Sequence, residues 1–127
     1  MTPQALEYIK GRLNDAGLNY HFLRYNYGKG SPVYPYSVGT YYEREAETED
    51  GMQDMAFTLN VWTRGEWSEL EEYKAKVKAL FPATGCTALL PGGSGVAVSY
   101  TSAQPIPTGD ATLKRIEITL DIKEWSV

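Results

Sequence analysis

Two stretches of strict alternation constrain this chain more than anything else in it. Met55, Phe57, Leu59 and Val61 alternate with Asp54, Ala56, Thr58, Asn60 and Trp62, and Ile116, Ile118, Leu120 and Ile122 alternate with Arg115, Glu117, Thr119, Asp121 and Lys123. Successive side chains of a strand point to opposite faces, so each stretch predicts a strand with one apolar face and one mixed face. A sheet built on such strands has one covered side and one side that can meet water. Asp50 and Gly51 supply the turn before the first stretch. The second stretch is expected at the centre of the sheet or next to it.

Something must cover the apolar face, and two helices are legible. Thr2 can cap the first, Pro3 suits its opening turn, Leu6, Ile9 and Leu13 recur on one side, and Gly17 is a natural stop. In the second, Ser68 and Glu71 have the spacing of a capping box, and Leu70, Tyr73, Val77 and Leu80 line one side. Its glutamates precede its lysines, which suits the helix dipole and allows a Glu72–Lys76 pair, and Pro82 ends it.

The rest of the chain divides into strands and loops. Tyr20 to Asn26 predicts a first strand, residues 28–32 a turn, and Val33 to Glu43 a second strand that Pro35 and Gly39 push towards an edge or a bend. Residues 82–95, with two prolines and four glycines, predict a long loop with a short turn at Ala88–Leu90. Val96, Val98 and Tyr100 predict a short strand, followed by a loop over SAQPIPTGD. The order is αβββαββ without βαβ alternation: an α+β fold, an antiparallel or mixed sheet of about five strands with two helices packed on one face. At 127 residues, 43% hydrophobic and 22% charged, the chain reads as one domain, 1–127.

Composition and motifs exclude several functions. A formal net charge of -4 disfavours binding to a nucleic-acid backbone. No apolar run approaches a membrane span, and MTPQALEYIK lacks the layout of a signal peptide, so a soluble protein not exported by that route is expected. Cys86, the single cysteine, cannot form an internal disulfide or a multi-cysteine zinc site, and His21 is the sole histidine. GGSGV at 92–96 fails the nucleophile-elbow pattern at Val96, and Gly28-Lys29-Gly30-Ser31 lacks the residues of a phosphate loop. Glu43, Glu45, Glu47, Glu49 and Asp50 lack EF-hand spacing and read as a solvated hairpin arm or a charged contact with a partner. No enzyme activity, cofactor or metal is expected.

Ten tyrosines are many for this length, and seven of them fall within residues 20–42. Tyrosine serves both strand packing and interfaces, so the cluster fits a packed strand pair as well as a contact surface for a protein or sugar partner.

The ordered set of a short first helix, a tyrosine-rich strand pair running into an acidic hairpin, FTLNVWTR, WSELEEYKAKVKALF, a Gly/Pro-rich loop and LKRIEITLDIKEW resembles the tail-terminator or tail-completion proteins of long-tailed bacteriophages and prophages, also labelled minor capsid or head-tail joining proteins. The resemblance implies a structural protein of the virion, made in the bacterial host cytoplasm. It would form a ring, commonly a hexamer, at the head-proximal end of the tail. There it would stop polymerisation and join the head, with the tail tube protein and the head-tail connector protein as partners. Two alternatives stay open: a head-completion or connector component, and a small tyrosine-rich carbohydrate- or peptide-binding domain. A ring needs two different matching faces on each subunit. One is assigned to Tyr34, Tyr36, Tyr41, Glu43, Glu45, Glu47, Glu49 and Asp50, with Arg64 as a basic partner for an acidic neighbour. The loops at 82–95 and 101–111 are expected to face the tube or the connector.

Overall fold

The computed structural model describes residues 1–25, 28, 30, 32–43 and 53–125. Helix α1 covers Pro3–Asp15, and the Thr2 side chain accepts from the Ala5 amide at 3.2 Å, as its sequence predicts. Ala5, Ile9 and Leu13 are its buried stripe, with Leu6 half-buried beside them. Gly17 takes φ 79°, a left-handed turn that lets Leu18 return its amide to the Leu13 carbonyl.

Strands β1 (Tyr20–Phe22), β2 (Tyr36–Glu43) and β3 (Gln53–Thr63) follow, then helix α2 (Trp67–Leu80) and strands β4 (Cys86–Leu89), β5 (Gly95–Ile106) and β6 (Lys114–Trp125). Among the described residues the sheet has six strands in the order β1-β2-β3-β6-β5-β4, with β3 and β6 at its centre. The two alternating stretches therefore lie side by side, antiparallel, with Phe57 opposite Leu120 and Leu59 opposite Ile118. These four side chains are fully buried beneath the helices, together with Ile9, Leu13, Leu70 and Phe81. Two positions, one on each side of the sheet, show how closely side chains stand against its backbone. A Cβ on Gly39 would stand 2.6 Å from a Phe57 ring carbon, and one on Gly95 would stand 2.4 Å from the Trp125 indole on the opposite face.

Four features refine or depart from the sequence reading. The first is that β1 pairs parallel with β2, which makes the sheet mixed, one of the two forms expected. The 13 residues between Phe22 and Tyr36 are enough for the crossover that parallel strands require. Second, the predicted loop at 82–95 contains β4, which pairs with β5 from Cys86↔Val98 to Leu89↔Gly95 and raises the strand count to six. Its four small or apolar residues are too few to show a period amid glycines and prolines.

Third, β5 runs through the predicted loop at 101–106. Beyond Val98 the described residues offer it no strand partner on the β4 side, where the Tyr100 amide donates to the Phe81 carbonyl at 3.0 Å instead, so Pro105 sits on an edge where its missing N–H interrupts no ladder. A bulge lies between Tyr100 and Ser102: residues 96, 98 and 100 face the helices before it, and residues 103 and 105 after it.

Fourth, the capping box of α2 does not form. The helix starts at Trp67, with Glu66 in the cap position and no side-chain cap bond. Glu71 is drawn along the helix instead, accepting from Trp67 Nε1 at 3.1 Å and pairing with Lys74 at 2.5 Å, where the sequence predicts Glu72 with Lys76. Glu69 accepts from the Thr63 hydroxyl at 2.5 Å and closes the β3–α2 corner over Gly65. On the buried side, the Tyr73 and Ser37 hydroxyls lie 2.5 Å apart, tying α2 to β2. Burial pushes the Tyr73 hydroxyl up to about 12, partly offset by its bond to Ser37.

Candidate interaction surface

The helices leave one side of the sheet uncovered, and the register decides what it displays. Across its middle stand short polar side chains: Thr40 opposite Thr58, Thr58 opposite Thr119, and Thr119 opposite Ser102. Towards the end where β3 finishes, the same side turns aromatic, because Tyr36 is paired with Trp62 and Trp62 with Arg115. The Tyr36 and Trp62 rings stack with centroids 5.3 Å apart, Tyr25 meets Tyr36 edge-on at 4.9 Å, and His21 stacks on Tyr25 at 4.0 Å. Tyr34 joins at 5.5 Å from Tyr36. At the other end of the row the Arg115 guanidinium lies 5.3 Å from the Trp62 ring, held by two bonds to Asn60 Oδ1 at 3.0 and 2.7 Å.

A network of polar contacts fixes the β1–β2 crossover against this row. Asn19 donates to the Val33 carbonyl at 3.0 Å, and its Oδ1 lies 2.8 Å from His21 Nε2. Partial burial draws the His21 imidazole below its ordinary 6.5, which favours the neutral ring.

Just past Thr63 the chain turns and Arg64 projects beside the aromatic row. Its Nη1 donates to Asp110 Oδ2 at 3.1 Å and to the Thr112 hydroxyl at 2.8 Å. Asp110 also accepts from the Thr112 amide at 2.9 Å and from its hydroxyl at 2.8 Å. These bonds, with Arg64, hold its carboxyl at about 2, below the ordinary 3.8. Lys114 Nζ reaches the Gly65 carbonyl at 2.8 Å from the helix side, where Lys114 is in register with the buried Thr63, so the cations beside the aromatic row are Arg64 and Arg115. Between Arg64 and the aromatic row opens a cleft of about 400 Å³ lined by Gly30, Pro32, Tyr34, Tyr36, Trp62, Arg64 and Leu113.

The expected interface residues are split by this geometry. Tyr34, Tyr36 and Arg64 come together at the cleft. Tyr41 and Glu43 lie on the helix side of β2, in register with Phe57 and Met55. There Tyr41 stacks with Phe22 at 5.9 Å, and Glu43 pairs with the Met1 amine. Glu45, Glu47, Glu49 and Asp50 lie outside the described residues. Trp62 and Arg115 belong to the surface without having been singled out as site residues. The signal that finds them is a tryptophan on the polar side of an alternating strand, two residues before Arg64.

His21 and Cys86 stand on strands at opposite edges of the sheet, and the register puts them on opposite faces. Cys86 Sγ lies 3.3 Å from the Tyr8 hydroxyl. Burial and that contact push Tyr8 up to about 12. Among the described residues no helix is long and apolar enough to cross a membrane.

No protein-family model matches the sequence, and no curated protein matches it either. The fold does match solved structures. One is a chain of the virion of a native gene transfer agent particle, with a TM-score of 0.65 and 15% identity over 91% of this chain and 84% of that one. Another solved chain matches with a TM-score of 0.63 and 20% identity over 100% of this chain and 98% of its own length. At such identities what is shared is the α+β fold.

Proposed function

We propose that the protein is a structural component of a phage-type virion that forms a ring on the head-proximal end of the tail tube, stops tube polymerisation and presents the surface to which the head joins. The observation that carries this reading is the fold in common with a chain of a gene transfer agent virion, over 91% of the present chain. The ordered sequence features that resemble tail terminators support it from a separate direction. So does the surface: an uncovered sheet side with a cationic, aromatic end suits contact with neighbouring proteins. Recognition would come from shape and charge, and the partners would be further copies of the chain, the tail tube protein and the connector.

The carbohydrate-binding alternative calls for Tyr34, Tyr36 and Tyr41 aligned on one face. Tyr41 lies on the helix side of β2, and Tyr36 spends its ring on Trp62 and Tyr25.

Native mass across a concentration series, with negative-stain imaging of large species, tests the ring: a species near six copies is expected, and a monomer at every concentration removes the free-standing ring. Adding the protein to extracts that contain tails and no heads separates a terminator from a head-completion component. A terminator yields tails of defined length there, and a connector component leaves them unchanged.

A further inference from the structure

The strand pair β3–β6 differs in charge between its two ends. At one end stands the cleft of Tyr34, Tyr36, Trp62 and Arg64, where Arg64 is the charged residue among the described lining and Arg115 lies over the Trp62 ring. At the other end β2 stops at Glu43 and β3 begins at Gln53. The seven residues 44–50 read REAETED, four acids against one arginine, a net charge of −3.

The two ends cannot meet within one molecule. β3 has 11 residues, which at about 3.3 Å each separates the ends by roughly 33 Å. Residue 48 is five positions from both Glu43 and Gln53, and five fully extended residues reach at most about 18 Å. An acidic segment and a cationic cleft that match in charge yet lie out of each other's reach can be joined only between molecules.

We propose that the cleft bounded by Tyr34, Tyr36, Trp62 and Arg64 receives the acidic segment 44–50 of a second copy of this chain. Arg64 presents a fork of five donors, so it can take a further carboxylate beside Asp110. The aromatic walls accept the aliphatic stems of the glutamates while the carboxylates meet Arg64 and Arg115. Because the two matching surfaces are different, the contact is head-to-tail, and repetition gives a closed ring or an open filament. The inference rests on the self-assembly in the proposed function and not on the position in the tail.

Two measurements on the full chain test it. In the first, a labelled peptide of residues 43–52 is titrated by fluorescence anisotropy against the wild type, Arg64→Glu and Arg64→Gln. At least tenfold weaker binding to both variants is expected, with a further loss in 0.5 M salt. Equal binding to all three, or none to the wild type, overturns the inference. In the second, self-association is followed by sedimentation for Arg64→Glu and for the triple variant Glu45→Lys, Glu47→Lys, Glu49→Lys. Each alone should associate at least tenfold more weakly, and an equimolar mixture should recover, since each supplies the complement of the other's altered surface.

Rings indifferent to both variants overturn the inference and leave the ring reading intact. A monomeric wild type that binds the peptide through Arg64 keeps the inference and removes the free-standing ring. A monomer that ignores the peptide removes both.

Discussion

Along β3 and β6 every second side chain is sealed under the helices, while its neighbours on the other side of the same strands stand half-buried among polar groups. The covered side is aliphatic and aromatic, and a Cβ added at Gly39 already collides with Phe57. The open side is a row of threonines and a serine that ends in Tyr36, Trp62 and Arg115. One backbone thus carries two kinds of chemistry, and the contrast teaches where each property resides. Stability comes from the side where water is excluded. The other side makes little demand on packing, so its residues are available for recognition.

The strongest way to break this comparison is Phe57→Ala, which removes a fully buried ring from the centre of the covered side. A loss of about 3–5 kcal/mol is expected in denaturant unfolding, and a loss under about 1 kcal/mol would mean that the covered side is not the core. Gly39→Ala comes next, because its methyl would have to displace Phe57 and Tyr20. A loss of about 1–3 kcal/mol is expected in the same assay.

Smaller effects sharpen the contrast. Asp110 has its carboxyl lowered from 3.8 to about 2, so the folded state binds its proton less readily than the unfolded state. Its contribution is present above pH 4 and lost as the pH falls through about 2. Asp110→Asn should therefore lower stability slightly across the neutral range, where the carboxylate contributes, and flatten the acid limb of the stability profile between those values, so that the two proteins converge near pH 2. Thr119→Val, on the open side, should stay within about 0.5 kcal/mol of the wild type. Repeating that last measurement on an assembled form would show whether the open side becomes an interior surface there.

How much of this could be read from the sequence depended on element length. The alternations at 55–61 and 116–122 span enough residues to show both the strands and their buried side, and the 3.6-residue spacing of Leu70, Tyr73 and Val77 did the same for α2. Cys86–Leu89 is too short to show a period, and its strand exists because β5 offers an open ladder. The parallel pairing of β1 was hidden because strand direction is a property of the connection and not of Tyr20–Phe22 themselves. At the candidate surface Tyr34, Tyr36 and Arg64 were legible as types. Their union with Trp62 and Arg115 depended on register, which sets Trp62 between Tyr36 and Arg115 and which no single segment encodes.

The bulge in β5 has a consequence for how the chain can change length. With Tyr100 opposite Leu120 and Ser102 opposite Thr119, Thr101 is the residue without a counterpart across the ladder. Deleting Thr101 would straighten the strand and keep every other side chain on its present side, whereas losing one residue anywhere from Val96 to Val98 would turn part of the strand inside out. Of all positions in the central sheet, this is where a gap between this sequence and its relatives can open and close without rewriting the core.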